Sequence, residues 1–191
     1  MIRLALALAL LLLVSLPVAA APAPHVDDAG GLLPAGSPWA QGLESKLVSF
    51  ERTAGIRVLI RLQLKSPTAV EDKVPGAYMR DLANKLGVIR DGVLVVYFAD
   101  DPDWRVWIGD ELTPRFMGRA GTAEEFTASG AMHETKEAML QECLDQAEAT
   151  LAWLKRAAPK QTPPVGLKIV LQADALADGL IRRLKPRHAA R

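Results

Sequence analysis

The chain has 191 residues, with 23 Lys and Arg against 22 Asp and Glu, three histidines and a single cysteine. So balanced a charge leaves no basic footprint for nucleic acid, and one cysteine excludes an internal disulfide framework. The length allows one domain with a sizeable core after an N-terminal leader is set aside.

That leader is residues 1–20. Arg3 gives a positive start, Leu4 to Leu13 an apolar run, and Val18, Ala19 and Ala20 a small-residue cleavage pattern. This is the pattern of a secretory signal peptide, cut near Ala20. The apolar run is short for a membrane span and no basic flank follows it. The mature chain is expected in the periplasm or secreted, with no transmembrane span after cleavage. An exported chain without disulfides suits a bacterial periplasm better than a disulfide-dense extracellular scaffold. A folded domain is expected over 21–157, then a linker and an amphipathic helix over 158–191.

After the linker Ala21–Pro24, the stretch His25–Pro34 reads as a brief strand leaving into a glycine turn. Ser37 before Pro38 marks a helix start, with a side-chain cap and then proline in the first turn. Trp39, Leu43, Leu47, Phe50 and Ala54 recur at helical spacing and predict one apolar stripe. Gly55 stops that helix. From Ile56 to Leu64 the residues alternate: Ile56, Val58, Ile60, Leu62 and Leu64 on one face, Arg57, Arg61 and Gln63 on the other. The pattern predicts a strand with one dry side. A loop over Ser66–Gly76 leads to a helix of about Gly76 to Leu86, with Tyr78, Leu82 and Leu86 aligned.

The run from Val93 to Ala99 is apolar without alternation, so both its faces should be covered. An acidic turn follows, and then Trp104, Val106 and Ile108 alternate with Arg105 and Trp107 as the partner strand of a hairpin. Strands joined through a helix favour parallel, right-handed crossovers. Thr122–Glu125 is a capping box opening a short helical turn. Two longer helices are expected, about Met132 to Arg156 and about Gly166 to Leu184. The predicted fold class is α/β: a three-layer α/β/α sandwich with a mixed, mainly parallel sheet, a β-hairpin and a C-terminal helical extension.

The acidic turn carries Asp100, Asp101 and Asp103 directly after an apolar strand. Asp and Pro are turn formers, so a plain connection accounts for them. Position suggests more, because ligands of α/β sheets sit beyond the carboxyl ends of strands. Asp27 and Asp28 leave such an end as well. Crowded carboxylates repel, and a divalent cation relieves them. Oxygen ligands without histidine or thiolate favour calcium or magnesium. The metal-site expectation is therefore Asp27, Asp28, Asp100, Asp101 and Asp103.

Other signals are weaker. Asp101-Pro102-Asp103-Trp104-Arg105 departs from the haloacid-dehalogenase pattern at its last position. His133-Glu134-Thr135-Lys136-Glu137 lacks the second histidine of a zinc protease. Cys143 lies mid-helix and reads as a core thiol. His25 reads as a surface residue. Arg57 and Arg61 either snorkel at a half-covered face or grip an anion. The basic end (Arg182, Arg183, Lys185, Arg187, Arg191) completes a helix dipole or leans on anionic lipid. Trp104 and Trp107 fall on opposite strand faces.

Five pieces in order resemble the TPM domain family: Val26-Asp27-Asp28-Ala29-Gly30-Gly31-Leu32, Phe50-Glu51-Arg52-Thr53-Ala54-Gly55, Tyr78 to Leu82, Gly92 to Val96, and Arg105-Val106-Trp107-Ile108-Gly109. The resemblance covers about residues 25–157. It departs at Asp91, where the family usually has Asn, and after the domain, where bacterial relatives often carry a transmembrane helix and a glycine-rich tail and this chain has a soluble-looking helix; Phe50–Gly55 also carries one inserted-looking residue. It implies a compact α/β/α domain, exported or facing away from the cytoplasm, with a cation-binding acidic cluster in which calcium is usual. Plant members look like thylakoid acid phosphatases. The resulting expectation is a non-catalytic cell-envelope accessory module that docks onto a membrane-protein complex. The alternative is a metal-dependent, acid-phosphatase-like hydrolase of phosphomonoesters.

Overall fold

The computed structural model describes residues 23–34 and 36–185; the expected leader and Arg187 and Arg191 of the basic tail lie outside them. The sheet is built on strand β3 (Val93–Phe98), buried at all six positions. Strand β2 (Val58–Gln63) pairs parallel to it, from Val58 opposite Val93 to Gln63 opposite Phe98. Strand β4 (Asp103–Ile108) returns antiparallel on the other side. Strand β1 (Val26–Asp27) runs parallel to β2, giving the order β1-β2-β3-β4. The expected mixed, mainly parallel sheet with its hairpin is present.

Helix α1 (Pro38–Ala54) joins β1 to β2, and α2 (Ala77–Lys85) joins β2 to β3. Each is the crossover that a parallel pair requires. A 3-10 turn at Asp110–Leu112 and helices α3 (Thr113–Met117), α4 (Ala123–Ala128), α5 (Ala131–Ala157) and α6 (Leu167–Leu184) follow. On one face of the sheet Val58, Ile60, Val95 and Val106 share a core with α1, α5 and α6. On the other, Leu59, Leu94, Val96 and Phe98 pack on Met79 and Ala83 of α2. Helices thus cover both faces, as in an α/β/α sandwich.

Local signals worked where the chemistry is local. Gly55 ends α1 in the left-handed region at φ 68°, its N–H donating to Glu51 O at 2.8 Å. The Thr122–Glu125 capping box forms in both directions. Four expectations shift. Ser37 makes no side-chain cap and is itself buried. Trp39 lies off the packed stripe of α1 and is 49% exposed. Strand β2 has no wet side, because α2 and the side chain of Arg61 close the second face. The buried face of α2 is Met79 and Ala83, with Tyr78, Leu82 and Leu86 flanking it. The 3-10 turn and α3 carry too short a pattern to be read from sequence.

The C-terminal extension is helical as expected, and α6 is built into the core rather than appended to it. Leu167, Val170, Leu171, Leu176, Leu180 and Leu184 are all buried. Lys46 of α1 bridges Asp174 at 2.6 Å and Asp178 at 2.7 Å. Small residues let α5 come close: a Cβ at Gly179 would stand 2.6 Å from Cys143 Sγ. Cys143 is fully buried, and burial pushes its thiol above the ordinary value, away from nucleophilic character.

Gly179→Ala sets a helix-propensity gain of about 1 kcal/mol against an overpacking cost of about 1–3 kcal/mol. Urea denaturation should show net destabilisation, and Cys143→Ala in the same chain should relieve most of it. A Gly179→Ala chain as stable as the wild type would mean that α5 and α6 can separate without cost.

Candidate functional site

The N-terminal aspartates are held by the chain itself. Glu44 of α1 accepts the N–H of His25 at 3.1 Å on Oε1 and the N–H of Val26 at 2.8 Å on Oε2. His25, expected at the surface, is 6% exposed. Its ring sits between Glu44, 3.1 Å from Nδ1, and Glu51, 2.6 Å from Nε2. Arg61 is buried too, with Nη1 donating to His25 O at 3.1 Å and Ile60 O at 3.0 Å. Its Nε lies 3.6 Å from Asp27 Oδ2. Arg57 donates to Ala23 O at 2.6 Å. The two arginines thus grip the incoming backbone rather than a free anion. Asp28 folds its own turn: Oδ1 accepts Leu32 N–H at 2.8 Å and Oδ2 accepts Leu33 N–H at 2.7 Å.

The hairpin aspartates also have chain partners. Asp100 Oδ1 accepts the Ser66 hydroxyl at 2.9 Å, the Ser66 N–H at 2.8 Å and the Asp101 N–H at 3.0 Å. The Ser66 hydroxyl, with those amides, holds the Asp100 carboxyl below its usual value. Asp101 is exposed at the tip of the turn. Asp103 bonds Arg105 Nε at 3.1 Å, and Arg105 Nη1 reaches Asp72 at 2.8 Å.

The two groups do not meet. Asp27 is level with Arg61 and, across β2, with Val96. Asp100 lies further along β3 and two strands away, on the order of 15 Å off at the usual strand spacing and rise. Among the described residues no three His, Cys, Asp or Glu side chains gather as metal ligands. Asp28 and Asp100 are poorly placed to ligate calcium or magnesium, because their oxygens face N–H and O–H groups that a cation would have to displace.

The structure opens elsewhere. A groove of about 890 Å³ runs along β4, between Gly76, Met79 and Arg80 of α2 and Ala128, Met132 and Lys136 of α4 and α5. A narrower space of about 220 Å³ continues it past Asp103 and Trp104 to Lys168 and Gln172 of α6. Trp107 forms part of the α2-side wall, its indole N–H bonded to Ile89 O at 3.2 Å and Arg80 lying over its ring. Trp104, on the other face, is core and bonds Gln172 at 3.1 Å.

The backbone phase of β4 follows from one bond: Gly109 N–H donates to Gly92 O at 2.9 Å. Trp107, Arg105 and Asp103 therefore turn their N–H and C=O groups to β3, and Trp104, Val106 and Ile108 turn theirs outward. Lys136 meets that outward row, its Nζ donating to Val106 O at 3.3 Å. Burial pushes the amine below its ordinary value, and Glu137 opposes this only through space. Sequence reading passed over Lys136 while rejecting the zinc pattern around it. A signal was available: no strand pattern follows β4, and among the described residues its outer edge has no partner strand.

No family model matches the chain, and no curated protein matches it. Among the described residues no helix is long and apolar enough to cross a membrane.

The Glu44 clamp gives a pH test. Burial works against the charged form, but the amides of Val26 and His25 and the His25 ring outweigh it and hold Glu44 below 4.5. A depressed carboxyl adds stability that is present above its unfolded value of 4.5 and lost as pH falls through the lower folded value. Glu44→Gln should cost about 1 kcal/mol at neutral pH, a figure discounted for partial exposure. Urea titrations at a series of pH values should show that deficit shrinking on the acid side of 4.5. A deficit that stays constant into strong acid would rule out the charged clamp.

Proposed function

We propose that this chain is an exported, TPM-like module of the cell envelope that works by docking, with the groove along β4 as its contact surface for a membrane-protein complex. One observation carries the reading: β4 offers an outward row of backbone groups and a half-buried, weakly partnered Lys136 to whatever enters the groove. Asp27, Asp28, Asp100 and Asp103, by contrast, are engaged by the chain's own turns and arginines. The leader pattern in residues 1–20 supports export, and the ordered run of TPM-like pieces supports the family resemblance. A phosphomonoesterase needs a group to activate water or attack phosphorus, and the residues at the acidic turn supply structural bonds instead.

Two measurements test this. Release of phosphate from an aryl phosphate, with calcium or magnesium added, should stay at the buffer level for the wild type and for Asp100→Asn. Ion-dependent release that Asp100→Asn lowers by about tenfold or more would replace docking with hydrolysis. Ala128 is exposed on the groove wall, so Ala128→Trp should fill the groove without disturbing the core. Retention of a solubilised envelope complex on the immobilised domain should be lost with Ala128→Trp and kept with Asp100→Asn. Retention untouched by Ala128→Trp would move the contact off this groove.

A further inference from the structure

We propose that the groove takes an extended peptide segment bearing an acidic side chain, which adds to β4 as a fifth strand and sets its carboxylate on Lys136. This rests on the docking reading and specifies its occupant. The first argument is the backbone. Trp104, Val106 and Ile108 present N–H and C=O groups at every second residue along the groove floor, the repeat that a partner strand matches. The opposite edge is unsuited, since Glu44 already takes the outward N–H of Val26 on β1.

The second argument is charge. Lysine on a strand edge ordinarily guards against aggregation from within solvent. Lys136 instead lies partly buried in the groove, at 3.3 Å from a neutral carbonyl. An ammonium has three donors, and a carbonyl is a poor match for a charge withdrawn from water. A carboxylate arriving on the added strand supplies a bonded acceptor, which the carboxylates that line the groove, Asp110, Glu124 and Glu137 among them, do not give Lys136. Arg105 and Arg80 do not compete for it equally: Arg105 is engaged by Asp72 and Asp103, and Arg80 lies over Trp107. A second copy of this chain is a poor occupant, because pairing two β4 edges would bring two Lys136 ammonium groups to one seam.

The test uses three nine-residue peptides, acetylated and amidated, alternating threonine and valine around a central aspartate, asparagine or lysine. Amide hydrogen exchange and fluorescence anisotropy are measured on the wild type, Lys136→Met and Ala128→Trp. The aspartate peptide should slow exchange at Trp104, Val106 and Ile108 and bind about tenfold more tightly than the lysine peptide. Lys136→Met should keep the protection and lose the preference; Ala128→Trp should lose both. Equal binding of the aspartate and lysine peptides to the wild type overturns the role of Lys136. Protection of those amides by none of the peptides overturns strand addition. If Ala128→Trp still abolishes retention of the envelope complex in that case, docking at the groove stands without it. A dimer by sedimentation that Ala128→Trp dissolves would overturn the peptide in favour of a second copy.

Discussion

Strand β3 has no residue that faces water: Val93 to Phe98 are all buried, so both faces need apolar cover and both edges need hydrogen-bonding partners. β2 and β4 supply the edges, α2 covers one face, and α1, α5 and α6 cover the other. The arrangement that satisfies β3 leaves β4, among the described residues, with a strand neighbour on one side only. Its Trp104, Val106 and Ile108 side chains are core while their backbone groups point out. One strand is thus essential to the core and, among the described residues, unpaired along its outer edge, and the groove is a by-product of completing the sheet.

The two sheet edges are treated differently, and the difference is electrostatic. At β1, Glu44 accepts two backbone N–H groups, His25 lies between two carboxylates, and Arg61 is set against carbonyls and Asp27. Most donors there meet an acceptor of the chain, although Arg57 Nε is buried without one. At β4 the outward carbonyl of Val106 is met by one ammonium. Edge strands are liabilities that proteins cover or charge. β1 is covered, whereas β4 is charged and left beside open space.

Much of this fold was legible in the sequence, because its signals are short-range. The unbroken apolar run at β3 announced two-sided burial, the alternation of Trp104, Val106 and Ile108 announced a hairpin partner, and Gly55 and Thr122–Glu125 marked helix ends. What failed depends on tertiary neighbours. Trp39 has the right spacing for the α1 stripe but lies beyond what packs on it. The polar row of β2 reads as wet, and only the fold reveals that Arg61 covers the face it was expected to leave open. The acidic residues show the same limit. Asp28 and Asp100 stand at strand ends as expected, but whether a carboxylate faces a cation or an amide is decided by turns that a one-dimensional pattern does not specify. Lys136 is an ordinary helix-surface residue by sequence and becomes unusual only because its side chain reaches the Val106 carbonyl on the β4 edge.

Two basic side chains are drawn in toward the sheet, and comparing them shows where its charge is left open. Arg61 is the better buried, yet its planar fork reaches carbonyls in fixed directions and Asp27 stands beside it. That is the geometry a guanidinium suits. Lys136 brings a compact, strongly hydrated charge and finds a single carbonyl; burial holds both groups below their ordinary values. Packing does not require that charge, since an apolar chain of similar length covers the same surface without the desolvation cost. The positive charge at Lys136 therefore contributes little to holding the fold together. Carboxylates such as Asp110, Glu124 and Glu137 line the same groove, yet the contact Lys136 makes is to the Val106 carbonyl, so the ammonium keeps donors to spare beside the outward backbone of β4.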